Sequence, residues 1–209
     1  MNVAPPSPWN SHYTKDKSLL SFPDENLVRM LSKDGNGNGK TALDLGCGSG
    51  RHLPLLASFG YTAIGSDIAD NALQKCKPLS DYLLCCSNTS LPLKDSSVHC
   101  TCAWGSLHYC FKHETRKQIA ELFRIMKTGG ILYGTLRAET DNFFERIEKR
   151  NSSWLCRTDS LKPLIVSFFD SAELTDLFSI FSSFSFGYCA RTQIGEEKLI
   201  AHWYFRAEK

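Results

Sequence analysis

From residue 41 onward the apolar positions switch repeatedly between two periods. TALDL (41–45) is a short apolar run of strand length, and RHLPLLASFG (51–60) spaces its leucines as a helix that stops at Gly60. YTAIGSD (61–67) reads as a second strand, ADNALQKCK (69–77) as a helix stopped by Pro78, and DYLLCCS (81–87) as a third strand. The theme repeats with VHCTCAWG (98–105) as a strand, HETRKQIAELFRIMKTGG (113–130) as a helix ended by paired glycines, and GILYGTLR (130–137) as a strand. A last helix is expected near SAELTDLFSIF (171–181). Alternation of this kind predicts βαβ units and an α/β fold with a mostly parallel sheet.

The C-terminus breaks the alternation. FSFGYCAR and KLIAHWYF are strand-like runs separated only by TQIGEE. Parallel neighbours need a crossover of a dozen or more residues, so this connection predicts an antiparallel hairpin. At the other end SKDGNGNGK (32–40) reads as a linker, because Gly and Asn favour turns and break helices. It divides the chain into an N-terminal cover of residues 1–39 and a main domain of residues 40–209. Within the cover, ENLVRML has helical spacing, and Trp9, Tyr13, Leu19, Leu20 and Phe22 supply apolar surface for docking.

Composition narrows the class. At 209 residues with 42% hydrophobic positions the chain can bury one sizeable core, which excludes a disordered tail or a stapled mini-protein. A formal charge of +2 gives no strong field, so neither long nucleic acid nor an anionic membrane is demanded. No apolar run approaches the roughly 20 residues of a membrane span. The nine cysteines are odd in number and no apolar leader opens the chain, so the expected compartment is a reduced cytoplasm. Cys85, Cys86, Cys100 and Cys102 sit in apolar runs as small buried hydrophobes, and their spacing is not that of a zinc site; no metal is expected.

The strongest chemical signal is ALDLGCGSGR (42–51), between the first strand and the first helix. Gly46, Gly48 and Gly50 allow a sharp turn and a close approach of backbone to a ligand, and the helix that follows presents free N–H groups to an anionic group. The spacing is GxGxG, not GxGxxG, since Leu53 stands three residues after Gly50. Asp67 ends the second strand, where its carboxylate could accept from both hydroxyls of a ribose or cap the helix that follows.

With these residues the chain resembles the class I methyltransferases that use S-adenosylmethionine, in particular the small type 11 group with its E/DxGxGxG motif. ALDLGCGSG resembles motif I, Asp67 the acid of motif II, SNTSLPLKDSSVHCTCAWGSLHY the segment around the fourth strand, and ELFRIMKTGGILYGTLR the helix, turn and strand that follow. The resemblance covers most of the chain and implies a Rossmann-like, mostly parallel seven-stranded sheet with helices on both faces. It implies that Asp44, Gly46, Cys47, Gly48 and Gly50 hold the methionyl end of the cofactor, that Asp67 takes the ribose hydroxyls, and that Ile68 packs on adenine. Asn88 and Thr89 stand where an Asp-Ala pair commonly meets the adenine ring, and Ala103 and Trp104 complete the set. The sequence departs from the group at Thr128, where KPGG is usual, and at His99, where Asp is common.

Methyl transfer from a sulfonium is an in-line displacement governed by positioning and exclusion of water, with a general base needed only for a protonated acceptor. The loop after the fourth strand, AWGSLHYCFKHE, lies at the ligand-binding edge of an open α/β sheet. It places Trp104, His108 and Tyr109 near the methyl group. Trp104 offers a π face to the sulfonium, and His108 is either a base or a buried histidine holding a loop carbonyl. His113 is expected on a solvated helix start, His52 on a polar face, and His202 as a structural histidine of the hairpin. Arg137 and Asp141, just past the fifth strand, either bind the acceptor or pair with each other. By the resemblance, the segment bearing Trp9, Tyr13, Lys15 and Lys17 folds over the cofactor and lines the acceptor pocket.

The expected activity is therefore methyl transfer from S-adenosylmethionine to an oxygen or nitrogen atom of a small molecule, by a monomer or homodimer. Two alternatives stand beside it: an NAD(P)-dependent oxidoreductase, because an acid after the second strand also suits NAD, and a non-catalytic module that kept only the cofactor pocket.

Overall fold

A computed structural model describes residues 8–14, 20–157 and 162–209. Lys15, Lys17 and Leu19 lie outside the described residues. The main sheet is built on β1 (Thr41–Leu45), β2 (Thr62–Asp67), β3 (Leu83–Cys85), β4 (Val98–Ala103) and β5 (Met126–Ala138). Helices α3 (Leu53–Ser58), α4 (Asp70–Cys76) and α5 (Lys112–Ile125) connect them, preceded by α1 (Pro8–His12) and α2 (Glu25–Asp34). After β5 come β6 (Glu145–Arg150), β7 (Ser153–Arg157), β8 (Leu164–Val166), β9 (Phe168–Phe169) and α6 (Ser171–Leu177), then β10 (Ser183–Thr192) and β11 (Leu199–Glu208).

The strand order is β10-β11-β5-β4-β1-β2-β3, with the short β9 also pairing on β5. The contacts β1–β2, β1–β4, β2–β3 and β4–β5 are parallel, whereas β10–β11 and β11–β5 are antiparallel. Seven strands and a terminal hairpin are thus present as expected, with β9 as an eighth.

Alternation along each strand splits the core into two layers. Leu43 and Leu45 of β1 pack with Ile119, Leu122 and Ile125 of α5 and Leu174 and Leu177 of α6. Ala42, which precedes them and faces the other side, packs with Leu27 and Leu31 of α2, Leu53 and Leu56 of α3, and Leu73 and Cys76 of α4. Helix α2 has the i, i+4 spacing of Leu27 and Leu31, starts at Asp24, whose Oδ1 accepts from the Asn26 N–H, and ends at Gly35 with φ 87°. Its last residue, Asp34, accepts from the Tyr133 hydroxyl and from Arg206 Nε, which ties α2 to β5 and β11. The expected linker therefore shortens: residues 32–34 are helix, and the turns begin at Gly35.

Other expectations are corrected. Helix α5 ends at Ile125, not at the paired glycines, because the C-terminus captures them: Gly129 N–H donates to Lys209 O (2.8 Å) and Lys209 N–H to Gly130 O (3.0 Å). Strand β5 accommodates them through a register shift against β4 between Val98 and Cys100. Leu20 and Phe22 are exposed instead of docked, and Cys85 is exposed as well. His99 has a structural use, its Nδ1 accepting from the Thr41 N–H at 3.1 Å. Strands β6, β7 and β8, within residues 145–157 and 164–166, form a second sheet that the sequence pattern did not reveal. Among the described residues no helix is long and apolar enough to cross a membrane.

Candidate active site

The loop after β1 is set by backbone geometry. Gly46 (φ 66°) and Gly48 (φ 56°) are left-handed, a conformation that strains residues with a Cβ. The packing is also closed to side chains. A Cβ on Gly46 would lie 2.5 Å from Ser106 Cβ, and one on Gly48 would run into the Tyr13 hydroxyl. The Cys47 N–H donates to Ser66 O (2.8 Å), and the Cys76 thiol donates to Gly48 O (3.1 Å), bracing the loop against β2 and α4.

Asp67 faces that loop. Its Oδ2 accepts from the Gly48 N–H (2.9 Å) and its Oδ1 from the Ala69 N–H (2.8 Å), so it braces the loop and fixes the turn before α4 without capping that helix, whose N-cap is Ala69. Each oxygen keeps a lone pair for a further donor. Burial raises its pKa, and the N–H groups of Ala69, Gly48 and Ile68 oppose that rise. Ile68 beside it is half exposed, at 51%. Beyond β3, Asn88 Nδ2 donates to Gln118 Oε1 (3.3 Å) and the Thr89 and Ser87 hydroxyls are 3.0 Å apart.

Asp44 is 1% exposed, and its Oδ2 has no hydrogen-bond partner. Burial pushes its pKa up to about 7 against the pull of Arg51. Beneath it lies His52, only 3% exposed and therefore not on the polar face that its position suggested. The Asp24 N–H donates to His52 Nε2 (3.4 Å), and burial together with Arg51 lowers the imidazole pKa to about 3. The ring is neutral with its proton on Nδ1, 4.0 Å from both Asp44 Oδ1 and Cys102 Sγ. These three donor-type side chains lie within 4.8 Å of one another, but the Nδ1 proton removes His52 as a ligand in this tautomer. Ala103 is buried, and Trp104 stands edge-on to His52 with ring centroids 6.3 Å apart.

A second polar cluster sits past the carboxyl ends of β4 and β5. His108 is fully buried, and neither ring nitrogen completes a hydrogen bond. Burial first, then Arg137 and His202, hold its pKa well below the ordinary value. His202 is lowered to about 3 by burial, Arg137 and Arg191. The His108 ring lies 4.5 Å from Tyr109 and 5.7 Å from His202, and Trp9 meets Tyr109 edge-on at 4.9 Å. Arg137, opposite His202 in the β5–β11 register, pairs with Asp141 (Nη1 to Oδ2, 2.5 Å) and stacks over Phe144 at 4.3 Å. Arg137 and Asp141 do pair with each other, which leaves the acceptor role of Arg137 open. His113 is exposed, as its charged surroundings predicted.

Geometry thus groups Asp44, Gly46, Cys47, Gly48, Gly50 and Asp67 around the loop, and His108, Tyr109, Arg137 and Trp9 around the second cluster. Tyr13, expected with the acceptor, lies against Gly48 with Asp67 as its first charged neighbour; burial, ahead of that charge, raises its phenol pKa. His52 and Asp141 are the buried partners that sequence reasoning undervalued. A histidine directly after a glycine loop and an acid four residues after Arg137 were the available signals.

Residues 43–134 match the family model for a methyltransferase domain. The match covers 92 of the 209 residues and marks that stretch as a methyltransferase domain. The fold of the chain is similar to an S-adenosylmethionine-dependent methyltransferase from Methanosarcina mazei, 22% identical, with TM-score 0.66 over 86% of this chain and 96% of that one. It is also similar to a 1,6-didemethyltoxoflavin N1-methyltransferase from Burkholderia thailandensis solved with that compound and S-adenosylhomocysteine (12%, TM-score 0.64, 96% and 84%). A third is the magnesium protoporphyrin IX methyltransferase of Synechocystis with bound S-adenosylmethionine (15%, 0.62, 88% and 77%). No curated protein matches this chain in sequence.

Proposed function

We propose that this methyltransferase moves the methyl group of S-adenosylmethionine to an oxygen or nitrogen atom of a small molecule, in a reducing cytoplasm where its nine unpaired cysteines stay reduced. The observation that carries the reading is the buried, unpartnered Oδ2 of Asp44 beside the left-handed glycine loop. A carboxylate in that state lacks a cationic partner, and the ammonium of the cofactor's methionyl end would supply one. Gly46, Cys47, Gly48 and Gly50 would offer backbone to that end, Asp67 its spare lone pairs to ribose hydroxyls, and exposed Ile68, with Asn88 and Thr89, an adenine face. Ala103 and Trp104 would border the reacting end.

When bound, the cofactor supplies an activated methyl on a sulfonium. The chain's own task is to orient the acceptor and exclude water. We assign residues 1–39 to the cover: Tyr13 on Gly48, Trp9 on Tyr109 and the Asp24 N–H on His52 all press that segment onto the site. His108 is the nearest candidate base: its ring is neutral, but the burial and the Arg137 charge that keep it neutral also oppose the imidazolium it would form, so a base role requires the acceptor to displace part of that environment. Tyr109 and Arg137 would frame the acceptor beside it. Small acceptors are supported by the two relatives named for small-molecule substrates.

Calorimetry of S-adenosylhomocysteine binding, followed by transfer of isotopically labelled methyl to a panel of hydroxyl and amine compounds, tests the reading; failure to bind at any pH overturns it. Within that assay His108→Phe is expected to lower turnover of proton-losing acceptors by about 10²- to 10⁴-fold while leaving cofactor affinity unchanged. An equal loss of cofactor affinity would mean that His108 only packs the loop.

A further inference from the structure

His52 belongs to neither the glycine loop nor the acceptor cluster, yet it is one of the most constrained polar groups in the molecule. It stands just before α3, buried, with one ring nitrogen engaged by the Asp24 N–H and the other directed at Asp44 and Cys102. An imidazole whose Nε2 accepts has only one place for its proton, so the Asp24 N–H fixes the tautomer. That backbone group belongs to the start of α2, in the cover segment.

The groups facing Asp44 come from every element packed on it. Arg51 and His52 follow the glycine loop, Cys47 is in it, Asp67 ends β2, and Cys100 and Cys102 lie on β4. Arg51 is the one cation among these. Asp67 opposes the carboxylate charge, the Cys102 thiol hydrogen-bonds it as a weak donor, and the His52 Nδ1 lies 4.0 Å from Oδ1, beyond hydrogen-bond length but within reach of its N–H dipole. Since burial alone favours the protonated acid, a fixed N–H dipole at Oδ1 favours the carboxylate that a cationic ligand at Oδ2 requires.

We propose that His52 is a positioning residue for the cofactor acid: locked by the Asp24 N–H, it presents its Nδ1 proton to Asp44 Oδ1 and keeps that carboxylate ready for a cationic group at Oδ2. The inference rests on the cofactor reading above. It also links the cover to the cofactor end, because loss of the Asp24 contact frees the tautomer that serves Asp44.

The test is calorimetric titration of S-adenosylhomocysteine into the wild-type enzyme, His52→Leu and His52→Asn from about pH 5.5 to about pH 8.5. His52 itself titrates near 3, so it contributes no ionisation in that window. Wild-type affinity is expected to fall by about tenfold per pH unit below a midpoint set by Asp44. In His52→Leu the midpoint moves up by about one unit, weakening binding about 5-fold at neutrality and about 10-fold at the acid end, and converging on wild type at the alkaline end. His52→Asn, whose Nδ2 replaces the Nδ1 donor, keeps the wild-type profile. A loss that is equal at every pH, or the same in Leu and Asn, overturns the proposal and leaves His52 a packing residue. If His52→Leu does not fold, His52→Gln replaces it, accepting from Asp24 while offering nothing at Nδ1. Absence of binding by the wild-type enzyme at every pH would instead sink the cofactor reading itself.

Discussion

Replacing Asp44 by asparagine is expected to move cofactor affinity and stability in opposite directions. A charge-assisted contact in a buried site is worth about 3 kcal/mol, so S-adenosylhomocysteine should bind about 100-fold more weakly. The unliganded variant should nevertheless melt at a higher temperature than wild type at pH 8. In the folded chain burial raises the Asp44 pKa from 3.8 to about 7. Below 3.8 both states are protonated and the group contributes nothing. Between 3.8 and about 7 the folded state holds a proton that the unfolded state has released, so stability falls as pH rises, and the penalty is complete above about 7. Asparagine cannot ionise and escapes the penalty. Thermal melts of both proteins at pH 4 and pH 8 would show coincident midpoints at the lower value and a gain for the variant at the higher. A variant that binds the cofactor as well as wild type refutes the assigned role, whatever its stability. A residue that the fold tolerates only at a stability penalty is the pattern expected of function.

The periodic parts of the chain were legible because burial imposes period. TALDL and VHCTCA are buried on both faces and read as apolar runs, and the hairpin followed from the six residues between its strands. The second sheet was not legible, since ERIEKR is charged at almost every position and exposed along most of its length. Strand β6 pairs by backbone with no apolar face, and the apolar residues of β7 and β8, Trp154, Cys156, Leu164 and Val166, are too few to set a period. The end of α5 was misplaced for a related reason: Gly129 and Gly130 look like a helix stop, and only their pairing with Lys209, far along the chain, makes them strand.

The site shows the same division. Asp44, the glycines and Asp67 carry a local motif, and backbone geometry alone brings them together. His52 carries none, because its role depends on the Asp24 N–H from α2, a contact 28 residues away in sequence. Tyr13 was placed on the acceptor side for lack of any signal about which face of the cover meets the loop. Only packing decides that its phenol rests on Gly48 while Trp9 reaches Tyr109.

Asp141→Ala is expected to be the most destabilising single change in the acceptor cluster. The carboxylate is fully buried, and it accepts from Arg137 Nη1 (2.5 Å), the Ala201 N–H (2.8 Å) and the Phe143 N–H (3.2 Å). One side chain therefore joins the end of β5 to the start of β11 and the turn between β5 and β6. Removing it strands the Arg137 guanidinium in the interior and orphans two backbone donors, a loss of about 3–5 kcal/mol. For a chain of this size that lowers Tm by about 6–20 °C. The two histidines respond in one direction only: without Asp141 the Arg137 charge is unbalanced, which presses His108 and His202 further toward their neutral forms, so the proton-accepting state of His108 survives. The double change Arg137→Met with Asp141→Leu separates structure from recognition. Removing the cation as well as the anion relieves the stranded charge but not the two orphaned N–H groups of Ala201 and Phe143, so stability should recover part of the way toward wild type. If Arg137 frames the acceptor, turnover stays low in that double variant and KM for the acceptor rises while cofactor affinity is unchanged; recovery of activity together with stability would show that the pair serves only to hold the strand ends.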